Sequence, residues 1–490
     1  MLRRPRLTLT PLALSLLLSG CAVGPDYLRT ENWLPSLFRE APTATATLAT
    51  QPDTALQNTW WTLFQDDTLN ALIQSALENN RDLRSAIARV DQADAAAREA
   101  GASLFPSIDG QGGASRVSPS EKTASWTPNT PDTVRAHNLG LVLSYEIDVW
   151  GRVRRMNEAA RASLLASRYG RDAIRLSITG LVASNYLTLR ALDAQLAISE
   201  SSLKSRQESA ELVKTRVAAG LVSPLDQYQA DSALAAIRVQ QSDLRRARAL
   251  AEHQLALLTA QPDLQLPAGD VRQLPLPPQP PAGLPADLIE ARPDVRQAEQ
   301  QLIAANANIG VAKAAYYPKF SLTGGLGRES KDLSDLFSSG ASTWSTGLSL
   351  LMPILDFGRT TARVDQAQAL NEQSLLAWQK TLETAYKEVR DALVNLSENG
   401  AAESAQQLRV DSTQKAHDLA KLRYEAGYSG YLEVLDTQRS ANEAQLAAIA
   451  TRQARLTAAV DLFKALGGGW TPEDAAASNA SLAVKSAPAQ

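Results

Sequence analysis

The sequence has 490 residues, which exceeds the size of a typical single domain and predicts two or three of them. The 52 acidic and 49 basic residues nearly balance, and this argues against a nucleic-acid partner, because there is no basic excess to neutralise phosphates. One cysteine and three scattered histidines leave no raw material for a zinc, thiol-redox or Cys/His catalytic site, so we expect no cofactor and no metal.

The first 21 residues have the organisation of a bacterial export signal. Three arginines precede an apolar stretch, 7–18, that is too short to cross a bilayer. The sequence Leu-Ser-Gly-Cys then resembles a lipobox, in which the cysteine is lipidated and becomes the mature N-terminus. The alternative is a free cysteine in an ordinary signal peptide. We predict a signal peptide over 1–20, an N-acyl diglyceride and palmitate on Cys21, and a lipidated N-terminal segment over 21–65.

Four motifs occur twice in the chain, and the repeated positions are Asp82 and Asp294, Pro106 and Pro318, Gly151 and Gly358, and Gly220 and Gly427. The spacing is about 212 residues for the first two pairs and about 207 for the last two, far longer than a solenoid repeat. We therefore predict a duplicated protein with repeats over 66–270 and 286–470 and a Pro-rich linker over 271–285. The Ala/Ser-rich tail, 471–490, has little to bury and is predicted to be disordered.

Each repeat contains two predicted strands that begin after a helix-ending proline. The first runs, 107–116 and 319–328, are rich in Gly, Ser and Thr, and each is followed by a loop and an alternating return run, 136–148 or 342–355. About ten residues of tilted strand suffice to cross a bilayer. Soluble hairpins packed on helices are the alternative. Aromatic residues lie where strands meet helices, as in an interfacial belt: Phe105, Trp150, Tyr316, Tyr317 and Phe357.

Four strands per chain are too few to close a barrel, and open sheet edges are excluded from lipid. If these strands span a membrane, the chain must therefore oligomerise. Two copies would give eight strands, a size at which side chains fill the interior. Three copies would give twelve strands and leave room for a lumen, so a trimer is the smallest conducting assembly.

Each pair of strands is followed by a long segment without proline, 152–219 or 359–426. At about 1.5 Å per residue, each segment predicts a helix of roughly 100 Å. Six positions in the first have a seven-residue spacing, which predicts coiled-coil packing: Val182, Leu189, Leu196, Leu203, Ala210 and Val217. Each long helix ends at a glycine, Gly220 or Gly427, where a left-handed cap is expected, and an antiparallel helix of about 36 residues follows.

Taken in order, these motifs resemble those of TolC-like outer-membrane efflux factors, in the lipoprotein branch sometimes called NodT-like. The resemblance extends from Gly-Pro-Asp-Tyr at 24–27, through the run 291–318, to the final element at 427–439. It implies a mainly α fold with a membrane β-barrel: a homotrimer with twelve strands in the outer membrane and a twelve-helix periplasmic tunnel. It also implies docking onto a periplasmic adaptor, or membrane fusion protein, and an inner-membrane RND-type pump that exports small molecules such as drugs.

In that family the periplasmic turn of the last helical hairpin is the gate, and the resemblance places Leu432, Asp436 and Arg439 there. In a trimer, one Asp436 per chain would form a ring of three carboxylates that attracts cations. Leu432, one turn earlier, would form an apolar ring, and Arg439 could pair with Asp436 or with a neighbouring helix. A solvated helix charge is the alternative for Asp436. The first turn carries Pro224 and lacks this pattern, so the gate is assigned to the second repeat alone.

Three alternatives to an efflux duct differ in class. An outer-membrane duct for type I protein secretion would have the same architecture and a larger cargo. A lipid-anchored coiled-coil scaffold would share the helices and would not conduct. The sequence does not support an envelope enzyme, because no catalytic motif stands out in it: no carboxylate pair, Ser/His set, metal cluster or phosphate loop.

Overall fold

The structure is a computed structural model that describes residues 22–29, 35, 59–124, 126–129, 131–277 and 286–468. The predicted signal peptide, Cys21 and the predicted tail lie outside these residues. The chain divides into two compact units. The strand unit contains Val90–Ser167, Ala298–Trp378 and the N-terminal residues 22–29, and the helix unit contains the other described residues.

The described strands of the strand unit form one antiparallel sheet. They follow each other in chain order as β1 (Ser107–Val117), β2 (Val134–Ile147), β3 (Lys319–Ser330) and β4 (Ser342–Leu351). The four predicted strands are therefore confirmed. The predicted end of β4 at 355 is wrong: the strand ends at Leu351, because Pro353 has no N–H to donate to the ladder.

The two faces of the sheet differ in polarity, since successive side chains of a strand point to opposite sides. The apolar face carries alternate residues of β2 and apolar residues in register with them on the other strands: Leu139, Leu141, Leu143, Tyr145, Ile147, Ile108, Phe320, Leu322, Leu326, Leu348 and Leu350. Beyond this apolar row, towards the other end of the strands, the same face carries polar residues: Arg116, Arg135, His137 and Arg328. The polar face carries mainly Ser, Thr, Asn and Gly, with a few charges such as Asp109 and Glu329. A sheet with one apolar and one polar face is the arrangement that a lipid-facing, water-lined wall requires.

Helices make up most of the described chain. Their bounds are α1 (Asp67–Asn79), α2 (Arg81–Ala102), α3 (Arg152–Ala218), α4 (Pro224–Thr259), α5 (Pro293–Ala314), α6 (Arg359–Glu425) and α7 (Tyr431–Ala465). The two long helices predicted from the sequence are confirmed, since α3 and α6 have 67 residues each. The shorter helices α4 and α7 follow them with 36 and 35 residues, as predicted.

Within the described chain, no helix combines the length and the apolar character needed to cross a membrane.

The core of the helix unit is an apolar cluster in which α3 is central. Trp60 is fully buried and stacks on Phe463 of α7 with ring centroids 5.5 Å apart. The hydroxyl of the buried Tyr186 donates to Asp66 Oδ2 at 2.7 Å, so its polar atom is satisfied. Of the six heptad positions, Val182 and Leu189 are fully buried in this cluster, and the other four are half-buried. The heptad row therefore faces inward along the helix.

Two buried polar side chains tie the short helices of the helix unit to the ends of the hairpins. Asn80 accepts from the Leu83 N–H at 3.2 Å and donates through Nδ2 to Leu258 O at 2.9 Å, near the end of α4. Arg292 donates through Nη1 to Ala465 O at 3.0 Å, at the end of α7. The same connection is thus made by an amide in the first half and by a guanidinium in the second.

The beginning of the predicted linker belongs to the core of the helix unit. Val271 is fully buried, Leu274 is almost so, and Arg452 of α7 donates to Leu274 O at 2.6 Å. Residues 278–285 of the linker lie outside the described part of the chain. The boundary predicted at 271 remains a prediction, but the residues that follow it directly are packed.

We predict that Leu456→Ala destabilises the protein by about 2–5 kcal/mol, because this fully buried side chain of α7 would leave a cavity in the core. Leu456→Met conserves volume and should cost less than about 1.5 kcal/mol, which makes it the matched control. The midpoint of thermal unfolding in detergent measures both. Equal midpoints for the two variants would contradict the assigned core.

Candidate functional site

Two tight turns end the helical hairpins of the helix unit, at Gly220 between α3 and α4 and at Gly427 between α6 and α7. Both glycines have positive φ, 71° and 80°, and no described atom lies within 4 Å of an added Cβ, so conformation alone calls for glycine. In each turn the amide after the glycine donates to the carbonyl oxygen five residues earlier, of Arg216 at 2.9 Å and of Arg423 at 2.8 Å. Both turns thus have the Schellman hydrogen-bond pattern.

The turns differ in the way the next helix begins. Before α4, the Ser223 hydroxyl accepts from the Leu225 N–H at 3.2 Å, and Pro224 occupies the first helical position. Before α7, the residue in the capping position is Gly430, which offers no side-chain cap. The second turn therefore contains two glycines and no cap, and its backbone is the less constrained of the two.

A cluster of five buried residues joins the two hairpins just inside the turns, and we call it the turn cluster: Val213, Ala230, Tyr424, Tyr431 and Val434. The rings of Tyr424 and Tyr431 lie 5.5 Å apart, and the Arg216 guanidinium lies 4.9 Å from the Tyr424 ring centroid. Burial, together with the nearby Tyr424, raises the pKa of Tyr431 to about 12. The Tyr431 hydroxyl in this cluster therefore stays protonated at physiological pH.

Beside the turn cluster lies a shallow groove of about 490 Å³, here called the turn groove. It is lined by residues of α3, α4 and α7: Arg206, Tyr228, Gln229, Ser232, Ala233, Ala236, Leu432, Leu435, Asp436 and Arg439. Arg206 donates through Nη1 to Ala233 O at 2.9 Å, and its Nε is buried without a hydrogen-bond partner among the described residues. Burial lowers the pKa of Arg206. All three predicted gate residues are thus brought to one groove.

The predicted gate residues occupy the first three turns of α7, and their side chains are exposed in a single chain. Arg439 donates through Nη2 to Asp436 Oδ1 at 2.7 Å. Of the two partners predicted for Arg439, Asp436 and a neighbouring helix, the structure thus shows Asp436. An exposed pair of this kind contributes about 0–1 kcal/mol, so the Asp436 carboxylate remains free to interact with another cation. A ring of such carboxylates requires further copies of the chain.

Sequence reasoning missed the turn cluster. A signal for it was present, because Tyr424 and Tyr431 stand on either side of Gly427, seven residues apart. Two aromatic residues flanking a glycine turn indicate a packed turn. The sequence offers no sign that Arg216 of the other hairpin covers one of the rings. That contact depends on how the two hairpins pack.

The predicted belt aromatics lie in the strand unit, where strands meet helices. The rings of Trp150 and Tyr317 stack with centroids 4.6 Å apart, and Trp150 Nε1 donates to Pro318 O at 2.9 Å. The Tyr316 hydroxyl lies 3.1 Å from Thr361 Oγ1. Phe105 and Phe357 are exposed instead, to 72% and 92%. The structure therefore brings only Trp150 and Tyr317 into direct ring contact, and the other aromatics stand separately at the same junctions.

The N-terminal residues 22–29 lie against α3 and α5 of the strand unit. The Val23 N–H donates to Trp150 O at 3.0 Å, and an added Cβ on Gly24 would come 2.5 Å from Gly310 Cα. The packing thus requires glycine at this point. Cys21 is outside the described residues, but it directly precedes a segment held beside Trp150. Side chains complete the docking: Arg155 with Asp26, Asn306 with the Pro25 carbonyl, and Tyr27 and Arg29 with Glu299.

The sequence matches the profile of the outer membrane efflux protein family over residues 72–261 and 284–468. The solvent efflux pump outer membrane protein SrpC of Pseudomonas putida is 34% identical over 470 residues, which cover 94% of this chain and 98% of that protein. The cation efflux system protein CusC of Escherichia coli is 34% identical over 475 residues, with coverages of 94% and 98%.

Solved structures of channel proteins have the same fold. The outer membrane channel CmeC of Campylobacter jejuni superposes with a TM-score of 0.87 at 25% identity, covering 94% of this chain and 98% of that chain. A crystal structure of CusC gives a TM-score of 0.80 at 32% identity, covering 91% of this chain and all of that chain. With nearly the whole sequence and the whole fold matched, the chain belongs to the outer membrane efflux protein family.

Proposed function

We propose that the protein is the outer-membrane exit duct of a tripartite efflux system. It passes small molecules passively to the exterior from an inner-membrane pump of the RND type and a periplasmic adaptor. The observation that carries the proposal is the four-stranded sheet with one apolar and one polar face, joined in the chain to two long helical hairpins. Relatives named for solvent efflux and for cation efflux support it.

The duct forms from three copies of the chain. Within one chain, β1 and β4 are the edges of the sheet, and their outer backbone groups need partners in lipid. Pairing β1 of one copy with β4 of the next, around three copies, gives twelve strands with no open edge. The two hairpins of each copy then supply twelve helices to a periplasmic tunnel, with pseudo-sixfold order if the halves arose by duplication.

The gate of the duct lies at the turn before α7. Three copies bring three Asp436 carboxylates and three Leu432 side chains to the same level of the tunnel. The support for this placement is the exposure of both side chains in a single chain. Among the described residues, Asp436 forms an ion pair only with Arg439, and that local pair is weak. The uncapped Gly427–Gly430 turn provides the backbone freedom that a gate needs.

Conduction is the test of the proposed function. Purified trimer in a planar bilayer should give stepwise currents that prefer cations once a periplasmic adaptor has opened the gate. The polar face of the sheet and the Asp436 ring are the reasons for expecting them. A protein that never conducts after adaptor addition would support the scaffold interpretation and contradict the duct.

Asp436→Asn should lower the cation-to-anion permeability ratio about fivefold, because the ring loses roughly 1 kcal/mol of attraction for a cation. The reversal potential in a salt gradient measures this ratio. Asp243→Asn is the matched control: Asp243 pairs with Arg246 at 2.8 Å with the same i,i+3 spacing on α4, away from the turn. Reversal potentials that are unchanged in Asp436→Asn, or equally changed in the control, would remove Asp436 from the constriction.

Cys21→Ser should abolish acylation, because the lipid requires the thiol of the only cysteine in the chain. Incorporation of labelled palmitate in cells is the measurement. Ser19→Ala, which keeps a small residue in the lipobox, is expected to remain labelled. Label that persists on the Cys21→Ser protein would show that the lipid is elsewhere and that the lipobox assignment is wrong.

A further inference from the structure

Three arginines lie on the apolar face of the sheet, near the strand ends farthest from α2 and α3. Arg116 of β1 and Arg135 of β2 are directly opposite each other in register, and both side chains are exposed. Arg328 of β3 is opposite Leu139, four residues further along β2. We call Arg116, Arg135 and Arg328 the outer arginines.

The outer arginines have no carboxylate partner within the described part of the chain. Arg116 and Arg135 make no side-chain hydrogen bond or ion pair there. Arg328 donates to the Ser338 carbonyl at 3.3 Å, and its guanidinium lies 5.8 Å from the Phe337 ring. Like charges directly opposite each other across two strands are destabilising. An anion from outside the chain that contacts both arginines would remove this repulsion.

The position of the outer arginines along the strands indicates what that anion is. On β2 the apolar row runs from Ile147 to Leu139, which is about 27 Å of strand and, once tilted, most of the apolar band of an outer-membrane strand. Trp344, 78% exposed, is level with Leu141 near the end of this row, where an interfacial aromatic would lie. Counting only residues on this face and moving away from α2 and α3, Arg328 follows Trp344 at the next position. The Arg116–Arg135 pair lies two positions beyond Arg328.

We propose that the outer arginines bind the phosphate groups of the phosphorylated glycolipid, lipid A, in the outer leaflet. The inference rests on the proposed function, because insertion of the sheet in the outer membrane is what places these strand ends at the exterior. A phosphate between Arg116 and Arg135 accepts charge-assisted hydrogen bonds from both guanidinium groups and turns their repulsion into attraction. The exposed Leu139 and Trp344 below them contact the acyl chains, which a free phosphate lacks.

The test uses the purified trimer in detergent, titrated with lipid A that carries both phosphates. Bound lipid is counted by native mass spectrometry, and the thermal unfolding midpoint is followed in parallel. We expect lipid A to bind and to raise the midpoint. The Arg116→Gln/Arg135→Gln double variant should need at least about tenfold more lipid for the same occupancy, because two charge-assisted contacts are lost.

The matched control is Arg238→Gln/Arg409→Gln, which removes two exposed arginines from α4 and α6 and should bind lipid A like the unmodified protein. Equal loss of binding in both double variants, or in neither, would overturn the proposal. Inorganic phosphate that raises the midpoint as much as lipid A would also overturn it, since the site would then be one for free phosphate.

A second readout separates a lipid site from a structural role. Without lipid, Arg116→Gln/Arg135→Gln should unfold at the same temperature as the unmodified protein or higher, because like-charge repulsion is removed. A lower midpoint without lipid would make the arginines structural and overturn the proposal. Planar-bilayer currents without lipid A binding would overturn this inference alone, whereas the absence of currents would overturn the proposed function.

Discussion

The backbone hydrogen bonds at the edges of the sheet are the constraint on which the rest of the protein depends. Hydrocarbon offers no hydrogen-bond partners, so a sheet that enters lipid has to be closed. One chain supplies β1 to β4 and leaves both outer strands with unpaired edges. In the proposed duct, closure therefore comes from other copies of the chain. The number of copies that closes the sheet would also set the number of helical hairpins in the tunnel.

At the turns of the helix unit, buried packing and exposed charges lie on different residues. The turn cluster holds the two hairpins together through buried packing of Tyr424, Tyr431 and aliphatic side chains, and burial there raises the pKa of Tyr431. The charged residues Asp436 and Arg439 lie outside it, on an exposed helix face. Because an exposed ion pair contributes little, it can be exchanged for other partners without loss of stability. A gate in this position can change its contacts while each hairpin pair stays intact.

The two halves of the chain reach similar connections with different side chains. Asn80 and Arg292 each stand at the beginning of a short helix and bond to a carbonyl at the end of a returning helix. The turns at Gly220 and Gly427 share one hydrogen-bond pattern and differ in capping. The two halves thus share backbone geometry at these points, and they differ in the side chains that cap and connect the helices. The assignment of the gate to one half follows from that difference.

The sequence by itself determined the elements, because their signals are local. Period-two alternation after Pro106 and Pro318 located the strands, and long proline-free segments located α3 and α6. Element ends were less certain, as the early end of β4 at Leu351 illustrates. Only the tertiary structure decided which residues from different elements meet: Arg216 on Tyr424, Trp150 on Tyr317, and Arg116 opposite Arg135. These contacts depend on helix packing and strand register, which are set by long-range burial and pairing that no local pattern specifies.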